Sequence, residues 1–333
     1  MILLPFQIMI AIILDALLGD PPRWPHPVRY IALIALFLER KTRSSFRNEK
    51  VAGIVTAVLT LVSVVVVTLT LLILVKHLPP LVGDVVSILV IYTGIARQDL
   101  AKHARAVKQA LSSTNMAQSR YLVSLICGRD TADLDAEGII RATVESVAEN
   151  TVDGITAPIF YAFLGGPLGI MAYKSISTLD SLFGYKNERY RNFGWLSARL
   201  DDLAAYVPSR LTGLIVPIAA LIQGVSALDS FRIYRRDRLR HASPNSGHTE
   251  SAFAGALGLR LGGPCSYEGI LKDKPFIGDS TRLPTPHSIE LSVRLMTTTT
   301  LLFFVMLAIL WSLGVFVLGF CTRCGVVSSM VGV

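Results

Sequence analysis

Val51-Ala-Gly-Ile-Val-Thr-Ala-Val-Leu-Thr-Leu-Val-Ser-Val-Val-Val-Val-Thr-Leu-Thr-Leu-Leu-Ile-Leu-Val75 is the stretch that decides the fold class, and it contains no charged residue. The hydrocarbon core of a bilayer is about 30 Å thick and a helix rises roughly 1.5 Å per residue, so about 20 apolar residues span it. This stretch meets that demand. Two others do as well: Leu81 to Ala96, which follows the turn Lys76-His77-Leu78-Pro79-Pro80 and carries Asp84, and Leu295 to Phe320, uncharged throughout. The reading is an all-α, polytopic integral membrane protein with helical cytoplasmic segments, taken as a single membrane-embedded domain over residues 1–333.

Composition agrees. Charged residues make up 17% of the 333 and AVILMFWYC residues 52%, with a mean hydropathy of +0.53; typical globular chains carry about 25% charge. These values exclude a disordered chain, a fibrous rod and a freely soluble enzyme. The net charge of +8 comes from 32 Lys+Arg against 24 Asp+Glu. The basic residues crowd into connectors such as Arg40, Lys41, Arg43, Arg47, Lys50 and Arg232, Arg235, Arg236, Arg238, Arg240. That is the positive-inside pattern rather than a nucleic-acid surface. It predicts a cell (inner) membrane protein with polar segments 97–154, 174–210 and 229–294 on the cytoplasmic side.

The remaining apolar runs are less regular. Met1 to Leu18 is short, holds Asp15 and lacks the marks of a cleaved signal, so it reads as a retained membrane helix. Tyr30 to Leu38 is too short to span and reads as interfacial or as an extension of a neighbour. Ile155 to Tyr173 contains Pro158, Gly165-Gly166 and Pro167, and Leu211 to Leu228 contains Pro217. Broken backbone at membrane depth is tolerated only where protein or water covers it. The Leu211 run is otherwise a plausible span; the preferred reading makes both runs tilted or re-entrant, and the broken Ile155 run a candidate wall of a site. No internal repeat or alternating strand pattern is visible. Cys321 and Cys324 have metal-ligand spacing but lack two further ligands nearby, and no disulfide framework is implied.

Four constellations carry chemistry. Arg141, Glu145, Glu149 and Asp153 recur every four residues, one helical face about 6 Å apart axially. Like charges so placed repel, and one Arg does not neutralise three carboxylates. A divalent cation does, and Mg²⁺ characteristically binds one or two carboxylates plus substrate phosphate oxygens; the bland alternative is a solvated acidic face. The segment Lys174 to Arg210 mixes Lys174, Asp180, Lys186, Arg199, Asp201, Asp202 and Arg210, the side chains used for phosphate and for Mg²⁺, or an ordinary ion-paired connector. His241-Ala-Ser-Pro-Asn245-Ser-Gly247 opens a helix of small residues, where His241 and Asn245 cap, ligate or move protons. Asp15, Asp20, His26 and Arg29 flank a rigid proline hook. No P-loop, dinucleotide fingerprint, H-E-x-x-H or G-x-S-x-G occurs.

Together these segments resemble the adenosylcobinamide-phosphate synthase (CobD/CbiB) family of cobalamin biosynthesis. The resemblance runs in order from Leu14-Asp-Ala-Leu-Leu-Gly-Asp-Pro21 and His26-Pro-Val-Arg29, through Asp99-Leu-Ala-Lys-His103-Ala and Gly128-Arg-Asp-Thr131, to Ala142-Thr-Val-Glu-Ser-Val-Ala-Glu-Asn-Thr-Val-Asp-Gly154. It continues with Thr178-Leu-Asp-Ser181, Gly184-Tyr-Lys-Asn-Glu-Arg-Tyr190, Phe193-Gly-Trp195, Ala198-Arg-Leu-Asp-Asp202, Pro208-Ser-Arg-Leu-Thr212, His241-Ala-Ser-Pro-Asn-Ser-Gly247 and Leu261-Gly-Gly-Pro264. His248 stands where the family pattern suggests an aromatic.

The resemblance implies a membrane ligase that uses ATP to join adenosylcobyric acid to (R)-1-aminopropan-2-ol O-phosphate, or a related aminoalcohol phosphate, through an amide. On that reading Glu145, Glu149 and Asp153, with Asp201 and Asp202, hold Mg²⁺. Lys174, Asp180, Lys186, Arg199, Arg210 and Asn245 bind substrate and phosphates, and His241 or His26 takes the ammonium proton. Gly255, Gly258, Gly262 and Gly263 would line a broad mouth for the flat corrinoid. The expected partners are the corrinoid, the aminoalcohol phosphate and the bilayer, with a homo-oligomer or other enzymes of the pathway also compatible, and no nucleic acid. The competing readings are an AmpE-like, non-enzymatic signalling protein and a secondary transporter.

Overall fold

The computed structural model describes residues 2–21, 25–185, 187–267 and 269–323, with side chains described through Gly314. Helices α1 (Leu4–Leu18) and α2 (Pro27–Ser45) precede the long helix α3 (Glu49–Val75). Asn48 starts α3 by accepting the N–H groups of Lys50 and Val51, at 2.9 and 3.4 Å, and Glu49 sits in the favourable first turn. Val58, Val62, Val66 and Val67 of α3 are exposed, whereas Ala52, Gly53, Ala57 and Thr60 are packed inward. A soluble helix does the reverse. Large side chains face lipid here and small ones let neighbours approach. A Cβ on Gly53 would lie 1.8 Å from the Phe193 carbonyl oxygen, so only glycine fits that crossing.

Next come α4 (Pro80–Tyr92), α5 (Arg97–Ser112), α6 (Met116–Ser124) and α7 (Ala136–Thr151). A π-helical turn at Val152–Thr156 joins α7 to α8 (Ala157–Phe183). α8 breaks where the sequence predicts, at Gly165 (φ −142°, ψ 18°) and Gly166 (φ 57°, ψ −140°), immediately before Pro167. Pro217, by contrast, is absorbed within α10 (Tyr206–Ile222), which follows α9 (Trp195–Ala204) at a bend of 45°. Then come α11 (Ala227–Asp237), α12 (Ser246–Leu257) and α13 (Pro286–Arg323).

Among the described residues, four helical stretches are long and apolar enough to cross a membrane: Glu49–Val75, Pro80–Ser112, Ala136–Phe183 and Pro286–Gly314. The bent α9–α10 pair makes a fifth if it counts as one span. α1 is apolar but shorter, and the Tyr30–Leu38 run belongs to α2. The fold is all-α and polytopic. Among the described residues its one departure is four short strands the pattern did not signal: β1 (Leu261–Gly262) pairs with β4 (Phe276–Ile277), and β2 (Cys265–Tyr267) with β3 (Ile270–Lys272). The main core joins most of the helices through side chains such as Ile8, Ile91, Ile139, Ile159, Phe253 and Phe303.

Candidate active site

The every-fourth-residue face of α7 does not stay straight. Glu145, on the regular part, pairs with Arg129, and its Oε1 accepts the Gly262 N–H at 2.8 Å. Glu149 Oε1 accepts the Ser246 hydroxyl at 3.2 Å. One turn later the π-helical insertion rotates the face, as such insertions do at functional sites. Asp153 is carried away from the Glu145 line. The charges acting on it are Asp201, then Glu149 and Asp180, opposed by Lys174. The turn's Gly154 carbonyl is taken by the Ala96 N–H at 3.0 Å, which ties it to the start of α5.

A carboxylate cluster results. Asp201 feels Asp180, Asp202 and Glu149, Asp180 feels Asp202 and Glu149, and Lys174 feels Asp153, Asp20 and Asp201. Residues distant in sequence, from α7, α8 and α9, therefore set like charge against like charge, which is costly unless a cation joins them. Among the described residues no three His, Cys, Asp or Glu side chains are drawn in tightly enough to form a ready-made metal cage. Mg²⁺ does not need one, because it keeps waters and takes substrate phosphates beside one or two carboxylates. The all-oxygen donor set of Glu149, Asp153, Asp180, Asp201 and Asp202 suits that ion.

Two cavities border the cluster, at Asp202 and at Glu149, and a third shares walls with both. The largest, about 560 Å³, is lined by Arg191, Arg199 and Arg210 with Tyr185, Tyr190 and Trp195. A second, about 240 Å³, holds Arg129, Glu145, Glu149, Glu250 and Lys274. His241 lines both. A third, about 510 Å³, meets the second at Ile126–Gly128 and the first at Tyr185.

A family model described as CobD/Cbib protein matches residues 8–296. The chain belongs to the CobD/CbiB family. It is 47% identical over 297 residues to the cobalamin biosynthesis protein CobD of Pelobacter propionicus, covering 89% of this chain and 92% of that protein. It is 43% identical over 309 residues to CobD of Leptospira interrogans (93% and 98%) and 45% identical over 290 residues to CbiB of Salmonella typhi (86% and 91%). No solved structure matches it. Membership puts the chain in cobalamin biosynthesis.

Within this CobD/CbiB chain the expected site residues take unequal positions. Arg199 faces the cationic cavity; Lys186 lies outside the described residues. Arg210 stacks on Tyr206 at 3.3 Å and donates to Asn245 Oδ1 at 3.1 Å. Asn245 also accepts from Ser209 and donates to the Asp202 carbonyl at 2.8 Å. It brackets α9, α10 and the His241 turn, a positioning task. Glu145 likewise anchors the strand-bearing segment through Gly262. Of the four glycines expected at a corrinoid mouth, Gly262 lines a cavity. Gly255 instead packs on α11, where a Cβ would meet the Asp229 carbonyl at 2.3 Å. Gly258 caps α12 at φ 69° and Gly263 packs on Phe276, so close packing explains these three. Cys321 and Cys324 lie beyond the described side chains.

Glu250, like Arg129, Arg191 and His103, is a residue to which the sequence reading gave no role. It lies on α12, 4% exposed, 3.7 Å from His241 Nε2. Burial pushes its carboxyl up to about 8, Glu149 adds to the shift, and Lys274 and Arg129 oppose it. Burial holds the His241 imidazole below its ordinary value, against Glu149. The available signal was that Glu250 is the one acidic residue of the small-residue helix Ser246–Leu257.

Proposed function

We propose that this protein is the adenosylcobinamide-phosphate synthase of its pathway. It would be an ATP-dependent ligase that joins the carboxylate of adenosylcobyric acid to the amine of (R)-1-aminopropan-2-ol O-phosphate or a close relative, at the cytoplasmic face of the inner membrane. The observation that carries the reading is the gathering of Glu149, Asp153, Asp180, Asp201 and Asp202 beside cavities walled by Arg129, Arg191, Arg199 and Arg210.

A carboxylate does not react with an amine until it is activated. Phosphoryl transfer from ATP gives an acyl phosphate, and it brings anion to anion, so the site must supply positive charge. Arg191, Arg199 and Arg210 present guanidinium groups suited to the polyphosphate, and the aromatic walls beside them suit a purine. Glu149, Asp153, Asp180, Asp201 and Asp202 would hold Mg²⁺, which supplies charge neutralisation at the transferring phosphoryl group. Lys174 stands among these carboxylates and tempers their repulsion. Glu145, tied to Arg129 and Gly262, keeps the strand-bearing segment over the smaller cavity and limits access of water to the activated acyl group.

The test is mass analysis of products made by purified protein in lipid from adenosylcobyric acid, Mg-ATP and the aminoalcohol phosphate. The expected product is the amide, formed only with ATP. The break in α8 at Gly165–Gly166 is what a transporter would also use; uptake into vesicles without covalent product would favour that reading.

A further inference from the structure

The hydrogen bonds of three histidines sort them: His26 and His241, the two expected bases, and His103, which lines the third cavity. His26 Nδ1 accepts the Val28 N–H at 3.3 Å, and its Nε2 lies 3.6 Å from Asp20 Oδ1. His241 Nδ1 accepts the Ser243 N–H at 3.0 Å, and its Nε2 lies 3.7 Å from Glu250 Oε1. A neutral imidazole has one acceptor nitrogen and one donor. In both rings the acceptor is already held by a backbone N–H, and the N–H side is turned to a carboxylate. Neither ring has a lone pair for an incoming ammonium.

His103 has the opposite arrangement. Its Nδ1 is 2.9 Å from the Asp99 carbonyl oxygen and 3.4 Å from Asp99 Oδ2. A carbonyl oxygen only accepts, so Nδ1 carries the hydrogen and the lone pair sits on Nε2. His103 and Asp99 line the 510 Å³ cavity together with Asn150, Gly154 and Tyr185. The Ala96–Gly154 bond fixes α5 against the π-helical turn that carries Asp153.

We propose that His103 is the base that takes the proton from the substrate ammonium, and that the cavity it shares with Asp99 holds the amine end of the aminoalcohol phosphate. This inference rests on the amide-forming reading above. The ammonium gives one proton to His103 Nε2 and becomes a nucleophilic amine. Its nitrogen attacks the acyl-phosphate carbonyl; the new C–N bond forms as the C–O bond to phosphorus breaks, and the electron pair leaves with phosphate. The second nitrogen proton goes to that phosphate, which departs as hydrogen phosphate, and His103 returns its proton to solvent. Asp99 opposes the Nδ1–H and stabilises the transient imidazolium, a positioning role.

The experiment compares two nucleophiles on wild-type protein and His103→Ala. Hydroxylamine is largely unprotonated at neutral pH and traps the acyl phosphate as a hydroxamate without needing a base. The expected result is wild-type hydroxamate yield from His103→Ala with amide formation down about 10²- to 10⁴-fold, partly restored by added imidazole. Undiminished amide formation, or hydroxamate and amide falling in the same proportion, would overturn the assignment. If wild type gives neither product, the amide-forming reading itself fails.

Discussion

The molecule uses an enclosed carboxylate and a half-buried carboxylate cluster in two opposite ways. On α11, Asp237 is fully enclosed and saturated: it accepts the Gly278 N–H at 2.8 Å and pairs with Arg236 and Arg240 at 2.8 and 3.2 Å. On the π-helical turn, Asp153 lies in the field of Asp201, Glu149 and Asp180, opposed by Lys174. The first arrangement stabilises the fold by its own contacts. The second opposes folding and makes sense as a place prepared for cations and phosphates. Asp237 is enclosed and charge-paired, whereas Asp153 is half-buried among like charges.

The largest expected effects contrast those two sites. Asp153→Asn or Asp201→Asn should lower amide formation about 10²- to 10³-fold while leaving the melting temperature unchanged or raised, because a repulsive charge is removed. Asp237→Asn should do the reverse, costing about 1–3 kcal/mol of stability because the Gly278 N–H and the Arg236 and Arg240 guanidinium groups lose a charged acceptor, with activity per folded molecule kept. Thermal melts and turnover on the same preparations check both. Equal stability losses at Asp153 and Asp237 would break the comparison.

Glu250 gives the next effect, through pH. Its ordinary value is 4.5 and its folded value about 8. Below both values it is protonated folded and unfolded; between them the folded state keeps a proton that the unfolded chain releases. Stability contributed by the neutral acid is therefore present below about pH 4.5 and lost as pH rises through about 8, approaching about 5 kcal/mol at roughly 1.4 kcal/mol per pH unit. Melting curves of Glu250→Gln should be flatter across that window. Mg²⁺ should stabilise wild type by about 2.7 kcal/mol at a hundredfold excess over its dissociation constant, and the Asp153→Asn/Asp201→Asn double variant much less. The smallest effect belongs to Glu290, which pairs with half-exposed Arg105 at 3.1 Å; Glu290→Gln should cost under about 1 kcal/mol.

Much of this was legible in the chain. Spans such as Val51–Val75 are a one-dimensional signal, because lipid imposes length and apolarity and little else. The break at Gly165-Gly166-Pro167 was equally plain, since glycine and proline act locally. Two things were not. The π-helical turn, whose Gly154 carbonyl accepts the Ala96 N–H, has no local sequence signal, so the sequence predicted one acidic face where Glu145 and Asp153 serve different neighbours. The histidine tautomers depend on which backbone group each ring meets, and no spacing rule separates His103 from His241. Glycine is ambiguous for a related reason: the residue that opens a mouth also closes a helix crossing, as Gly255 does.

The most direct measurement of the central claim labels the corrinoid carboxylate with ¹⁸O and follows the label through one turnover with ATP and the aminoalcohol phosphate. Transfer through an acyl phosphate predicts an amide product, ADP, and inorganic phosphate carrying one ¹⁸O atom. An unchanged corrinoid, or an amide accompanied by unlabelled phosphate, would contradict it.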